Sequence, residues 1–158
     1  MKGDEKVIDY LNRAVRSELT AVHQYKLNAR LLEDWGLEQL SQQQEKEALE
    51  EMDHADRCMR RILFLGGQPD VQNLDTVRVG SNVKEIFESD LAAESEAITM
   101  YREAVGYCES VRDYPSRDLF AALLTDEEGH YDHLDTQLDL IERIGIQNYQ
   151  QSFMGGGE

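Results

Sequence analysis

Apolar residues return at alternating steps of three and four along four long stretches of this chain. The first stripe runs through Ile8, Leu11, Val15, Glu18, Val22, Tyr25, Ala29 and Leu32; the second through Leu40, Gln44, Glu47, Glu51, His54, Cys58, Ile62 and Leu65. The third follows Val83, Phe87, Asp90, Glu94, Ala97, Tyr101, Ala104 and Cys108, and the fourth Phe120, Leu123, Glu127, His130, Leu134, Leu138 and Ile141. That period puts each set on one face of an α-helix. The spacing predicts four helices of about 28 to 30 residues, each roughly 42 to 45 Å long. One inward stripe apiece makes a four-helix bundle.

Turn residues divide these stretches at "EDWGLE", "GGQPD", "VGSN" and "RDYPSRD". Tight turns near Trp35-Gly36 and near Tyr114-Pro115 predict two antiparallel hairpins. Between the hairpins lie residues 67 to 82, too long a connection for a compact bundle unless it travels the bundle's length. Helix three would then start at the same end as helix two. "IQNYQQSF" (146 to 153) predicts a short fifth helix, and the terminal "MGGGE" reads as frayed. The expected fold is all-α: one domain, residues 1 to 158, with a long crossover between helices two and three and a short C-terminal helix.

Composition narrows the partners. With 41% hydrophobic and 30% charged residues the chain suits a globular domain, and its net charge of −16 repels nucleic acid and anionic membranes. No apolar run approaches the roughly 20 residues of a membrane span, and the opening twenty residues lack a secretory core, so a cytoplasmic location is expected. Cys58 and Cys108 form no Cys-x-x-Cys pair; both read as small buried hydrophobes, with no disulfide indicated.

The stripes contain residues that do not belong in a core. Glu18, Glu51, Glu94 and Glu127 fall one per helix on the buried face, and His54 and His130 each follow a Glu by three positions, one turn along the same face. Four unpaired carboxylates in a core would repel one another and lose their hydration, at several kcal/mol each by rough estimate. The stripes offer no Lys or Arg near the acids. Two divalent cations would balance the four charges, and oxygen-rich sets with one nitrogen per metal suit iron or manganese.

The spacing strengthens this. Glu18 to Glu51 and Glu94 to Glu127 are both 33 residues, and a constant offset of 76 carries Glu18 to Glu94, Glu51 to Glu127, His54 to His130 and Tyr25 to Tyr101. Two hairpins related by a pseudo-twofold axis would set these ligands symmetrically about two metals.

Glu18, "EEMDHAD", Glu94 and "DEEGHYDH", together with "EDWG", "RILFLGGQP" and "QLDLIERIG", resemble the bacterioferritins over essentially the whole chain. The resemblance implies a ferritin-like bundle with two Fe per subunit. Glu18 and Glu94 would be terminal ligands, Glu51 and Glu127 bridges, His54 and His130 one ligand to each iron, and Tyr25 a neighbour of the centre. It further implies ferroxidase activity with dioxygen or hydrogen peroxide, and a homo-oligomeric shell of 24 subunits built as twelve dimers. Haem b would be shared between two subunits, and a small ferredoxin would donate electrons for iron release. Met52 lies about 100° around the helix from Glu51; the family places the haem iron's axial methionine there.

The chain departs from the family at an inner-wall iron site, where some members carry His and Asp at the positions of Lys46 and Glu50. Protonated Lys46 cannot bind iron; Glu47 and Glu50 could still attract it, but a solvated acidic face is the expected reading of that pair. His23 and His133 are expected on the surface or at an interface, and Trp35 as a turn anchor. Three rivals have distinct readouts. A rubrerythrin-like di-iron peroxidase would be a small oligomer, a haem-free ferritin would lack a Soret band, and an acidic helical interaction module would bind iron weakly.

Overall fold

A computed structural model describes residues Met1 to Met154 as five helices: α1 Glu5–Asp34, α2 Glu38–Phe64, α3 Val83–Ser110, α4 Tyr114–Ile144 and α5 Ile146–Gln151. The expected terminal fraying at Gly155 to Glu158 lies outside the described residues. Among those described, no helix is long and apolar enough to cross a membrane.

Local signals start and stop the helices. Asp4 caps α1 by accepting from the backbone N–H of Lys6 and Val7, Asn82 caps α3 at Glu85, and Asp113 caps α4 at Ser116. Gly36 follows α1 with φ +85° and Gly145 closes α4 with φ +84°, left-handed backbone that glycine adopts without a Cβ clash. The α3–α4 turn is Val111 to Asp113. Tyr114 and Pro115, expected in that turn, instead form the first turn of α4, because proline's missing N–H costs nothing there. Helix α5 ends at Gln151, two residues short of the expected span.

The crossover runs alongside α1. Asn12 contacts Gln68 and Asp70, Thr20 accepts from the Asp75 N–H at 2.9 Å, Arg16 pairs with Asp75 at 2.9 Å, and Gln24 accepts from the Arg78 N–H at 3.1 Å. These contacts climb α1 a turn at a time, so helices α2 and α3 start at the same end, as the loop length predicted.

Two apolar clusters close the ends of the bundle. One joins Val7, Leu11 and Val15 to Cys58, Ile62, Tyr101, Cys108, Phe120 and Leu123; the other joins Leu32, Leu37 and Leu40 to Val83, Phe87, Leu134, Ile141 and Tyr149. Each such aliphatic or aromatic side chain stabilises the fold by about 1.5 to 3 kcal/mol through burial. Both cysteines are buried and free. Val22 and Leu138, expected on the buried stripes, are only half-buried, since long straight helices drift out of register with a heptad seam. Between the clusters the core turns polar.

Candidate metal centre

Six side chains from four helices converge in that polar middle: Glu18 from α1, Glu51 and His54 from α2, Glu94 from α3, Glu127 and His130 from α4. They form two overlapping sets, Glu18–Glu51–His54–Glu127 and Glu51–Glu94–Glu127–His130, with the ligand atoms of each set within 4.8 Å of one another. Glu51 and Glu127 belong to both. All four carboxylates and His54 are buried, while His130 keeps 14% of its side chain exposed.

The histidines point the same nitrogen inward. Nδ1 of His54 lies 3.3 Å from Glu18 and 3.6 Å from Glu127, and Nδ1 of His130 lies 3.1 Å from Glu51 and 3.3 Å from Glu127. Each outward Nε2 meets a carboxylate on the opposite hairpin: His54 meets Asp126 at 2.9 Å, and His130 meets Glu50 at 2.9 Å. Such a partner fixes the tautomer and ring orientation of a ligating imidazole. The tyrosines are crossed likewise, Tyr25 donating to Glu94 and Tyr101 to Glu18.

Electrostatically this is a site built around missing positive charge. Buried atoms without a hydrogen-bond partner include both oxygens of Glu51, Oε2 of Glu94, Oε1 of Glu127 and Nδ1 of His130. The orphaned acceptors within the two ligand sets are what a dication pair would satisfy. Burial, then the neighbouring carboxylates, raises the Glu51 and Glu127 carboxyls well above the ordinary range. Burial alone would depress His54, yet the hydrogen bond and charge of Glu18 and the charge of Glu127 push it up to about 9. For Glu18 burial works in the raising direction but is outweighed by the adjacent Glu51 carboxyl, by the hydrogen bond and charge of His54 and by the hydrogen bond from Tyr101, so its carboxyl is lowered.

The ferritin-like domain family matches residues 8–144, all but the first three residues of the four-helix span. A bacterioferritin of Rhodobacter capsulatus is 51% identical over 149 residues, covering 94% of this chain and 92% of its own. The chain belongs to the bacterioferritin family. Another bacterioferritin, from Brucella melitensis, is 48% identical over 96% of this chain and 94% of its own, and a bacterial ferritin of Synechocystis is 44% identical over 98% and 99%. Bacterioferritin membership agrees with the long crossover and the short fifth helix.

All six ligand candidates and Tyr25 therefore meet, whereas Met52 sits apart, 42% exposed on the outer side of α2. His23 and His133 are exposed as expected, and Trp35 stands at the α1–α2 turn. Glu47 is not on the solvated face expected of it, while Glu50 keeps 42% of its side chain exposed. Glu50 binds His130, and Glu47 turns inward with Oε2 buried and unpartnered. The position of Glu47 on the ligand stripe of α2 overrides its charge. Asp126 as the partner of His54 was also missed, as was Tyr101 as the partner of Glu18. The signal was present: an acid precedes each shared Glu, and Glu50 and Asp126 obey the same 76-residue offset as the ligands.

Proposed function

We propose that this chain stores iron as a ferroxidase, taking Fe²⁺ at the paired positions and oxidising it before it is laid down as ferric mineral. The observation that carries this reading is the sharing of Glu51 and Glu127 by two four-ligand sets. Sharing couples two metal ions, so a two-electron oxidant can be reduced in one place. Two Fe²⁺ give one electron each; dioxygen with two protons then leaves as hydrogen peroxide, and hydrogen peroxide with two protons leaves as two waters.

Glu18 and Glu94 are the terminal carboxylates, Glu51 and Glu127 the bridges, and His54 and His130 supply one nitrogen to each ion. Tyr101 and Tyr25 hold the terminal carboxylates by hydrogen bonds, and Asp126 and Glu50 hold the imidazoles. The bridging carboxylates, free of hydrogen bonds, can shift as the charge on the ions rises.

Storage needs an enclosed volume that one bundle lacks, which supports a closed homo-oligomeric shell; the likeness to bacterioferritins implies 24 subunits in twelve dimers, working in the cytoplasm. The acidic surplus draws cations toward it. Haem b would bind where two subunits meet through α2. Met52 is a soft thioether on the face of α2 turned away from the centre, with exposed Leu49 and Leu63 extending an apolar strip along the helix. Met52 would hold a haem shared with a second subunit, which would supply electron transfer, with a small ferredoxin as the donor when iron is released.

The test is rapid mixing of the apo-protein with Fe²⁺ and then dioxygen or hydrogen peroxide. A fast oxidation phase should saturate at two Fe²⁺ per subunit, and the protein should elute as a very large assembly. A dimer-sized species with peroxide turnover and no mineral would favour the rubrerythrin-like alternative.

A further inference from the structure

Five positions break the internal repeat, four in the first hairpin and one in the second, and all five put the polar residue on the same side of the centre. Under the 76-residue offset that superposes the ligands, Gln24, Asn28, Gln44, Glu47 and Asp90 correspond to Met100, Ala104, Phe120, Leu123 and Ala14. The structure makes both halves real layers. On one side Asp90 is fully buried and takes N–H groups from Gln24 at 2.7 Å, Asn28 at 3.0 Å and Gln44 at 3.1 Å. Glu47 stands nearby with a buried Oε2 that nothing satisfies. On the other side Ala14, Ala104, Phe120 and Leu123 are fully buried and apolar, and Phe120 packs against Tyr101 with ring centres 6.0 Å apart.

The carboxylates behind the histidines differ in the same sense. Asp126, behind His54, has the Arg57 guanidinium 3.9 Å away. Among the described residues, Glu50, Glu47 and Asp90 have no Lys or Arg partner. Negative charge without a Lys or Arg partner therefore accumulates around Glu94 and His130, while Glu18 and His54 are backed by hydrocarbon and by an acid with a guanidinium 3.9 Å away.

We infer that the two cation positions are unequal, and that Glu47 and Asp90 make the Glu94–His130 position the one that takes the first divalent ion. This rests on the reading of the six side chains as a two-ion centre. A dication entering there offsets the repulsion among Glu47, Asp90 and Glu94, which the other position cannot offer. A carboxylate near a dication in the low effective dielectric of a protein shifts affinity by about tenfold or more. Burial pushes the Glu47 and Asp90 carboxyls up to about 7, against the charge of His130 on Glu47 and the amide hydrogen bonds on Asp90, with the neighbouring acids adding smaller raises. Filling then runs in order: the second ion enters a centre whose bridges are already oriented by the first.

The experiment uses crystals of the full-length protein soaked with Co²⁺ well below the amount that fills both positions, with anomalous scattering at the cobalt edge as readout. The peak between Glu94 and His130 should be several times the peak between Glu18 and His54. In solution, Zn²⁺ titration of apo-protein should resolve two steps about tenfold apart, and Glu47→Gln combined with Asp90→Asn should bring them within about threefold. Equal cobalt peaks, a larger peak beside His54, or two steps unmoved in a folded double variant would overturn the inference. If the double variant does not fold, the wild-type crystal decides alone. Cobalt at neither position would instead remove the two-ion centre itself.

Discussion

Replacing Glu47 by Gln isolates the strain stored in the metal-free centre. The Glu47 carboxyl is raised from its ordinary 4.5 to about 7, chiefly by burial, with Asp90, Glu94 and Glu50 adding to the rise against the opposing charge of His130. Between those values the folded chain keeps a proton that the unfolded chain gives up. Stability therefore falls as pH rises through this window, and the full penalty stands above it. The gap corresponds to about 3 kcal/mol. For a chain of this size that is about 6 to 12 °C in melting temperature. Gln has the same shape and does not titrate, and the cost of burying its amide is the same at every pH. The assay is the thermal midpoint of metal-free wild type and Glu47→Gln, each in chelator, at pH 5 and pH 8. Relative to wild type, the variant should gain most of that shift on going from pH 5 to pH 8. With Zn²⁺ bound the gain should vanish, because a nearby cation favours the carboxylate. A relative midpoint that does not rise with pH would refute the reasoning.

Three further outcomes follow from the geometry. Glu51→Gln removes a bridge from both ligand sets and should slow the fast phase of Fe²⁺ oxidation by at least about 100-fold in stopped-flow absorbance, with the helical circular dichroism retained. Asp126→Asn and Glu50→Gln free the imidazoles of His54 and His130 and should each weaken Zn²⁺ binding by about 10- to 100-fold in calorimetric titration. Met52→Leu should abolish the haem Soret band in protein made with ample haem while leaving initial Fe²⁺ oxidation within about twofold, since Met52 lies outside the cluster.

Much of this was legible because the ligands obey the same period as the core. Glu18, Glu51, Glu94 and Glu127 each occupy an apolar phase, so a charge pattern alone exposed the buried cluster before any geometry was known. The crossover was equally readable, since residues 67 to 82 are too many for a turn. What stayed hidden depends on side-chain direction across helices. Glu50 and Asp126 reach sideways to a histidine on the opposite hairpin, and a helical wheel assigns such residues to solvent. Glu47 lies on the stripe, but only packing shows that its carboxylate is enclosed. The layer of Gln24, Asn28, Gln44 and Asp90 mixes residues on and off the predicted seams, and its cohesion comes from hydrogen bonds between helices rather than from any spacing within one. Tyr114 and Pro115 were misplaced for a simpler reason: proline marks the first turn of a helix as readily as a loop.

The most direct test of the paired centre is an anomalous difference map at the iron edge from crystals loaded with Fe²⁺ under anaerobic conditions. The account predicts two peaks about 3.5 to 4 Å apart, with Glu51 and Glu127 spanning both, His54 and Glu18 on one, His130 and Glu94 on the other. A single peak, or iron bound only at the surface while the six side chains keep their metal-free positions, would contradict it.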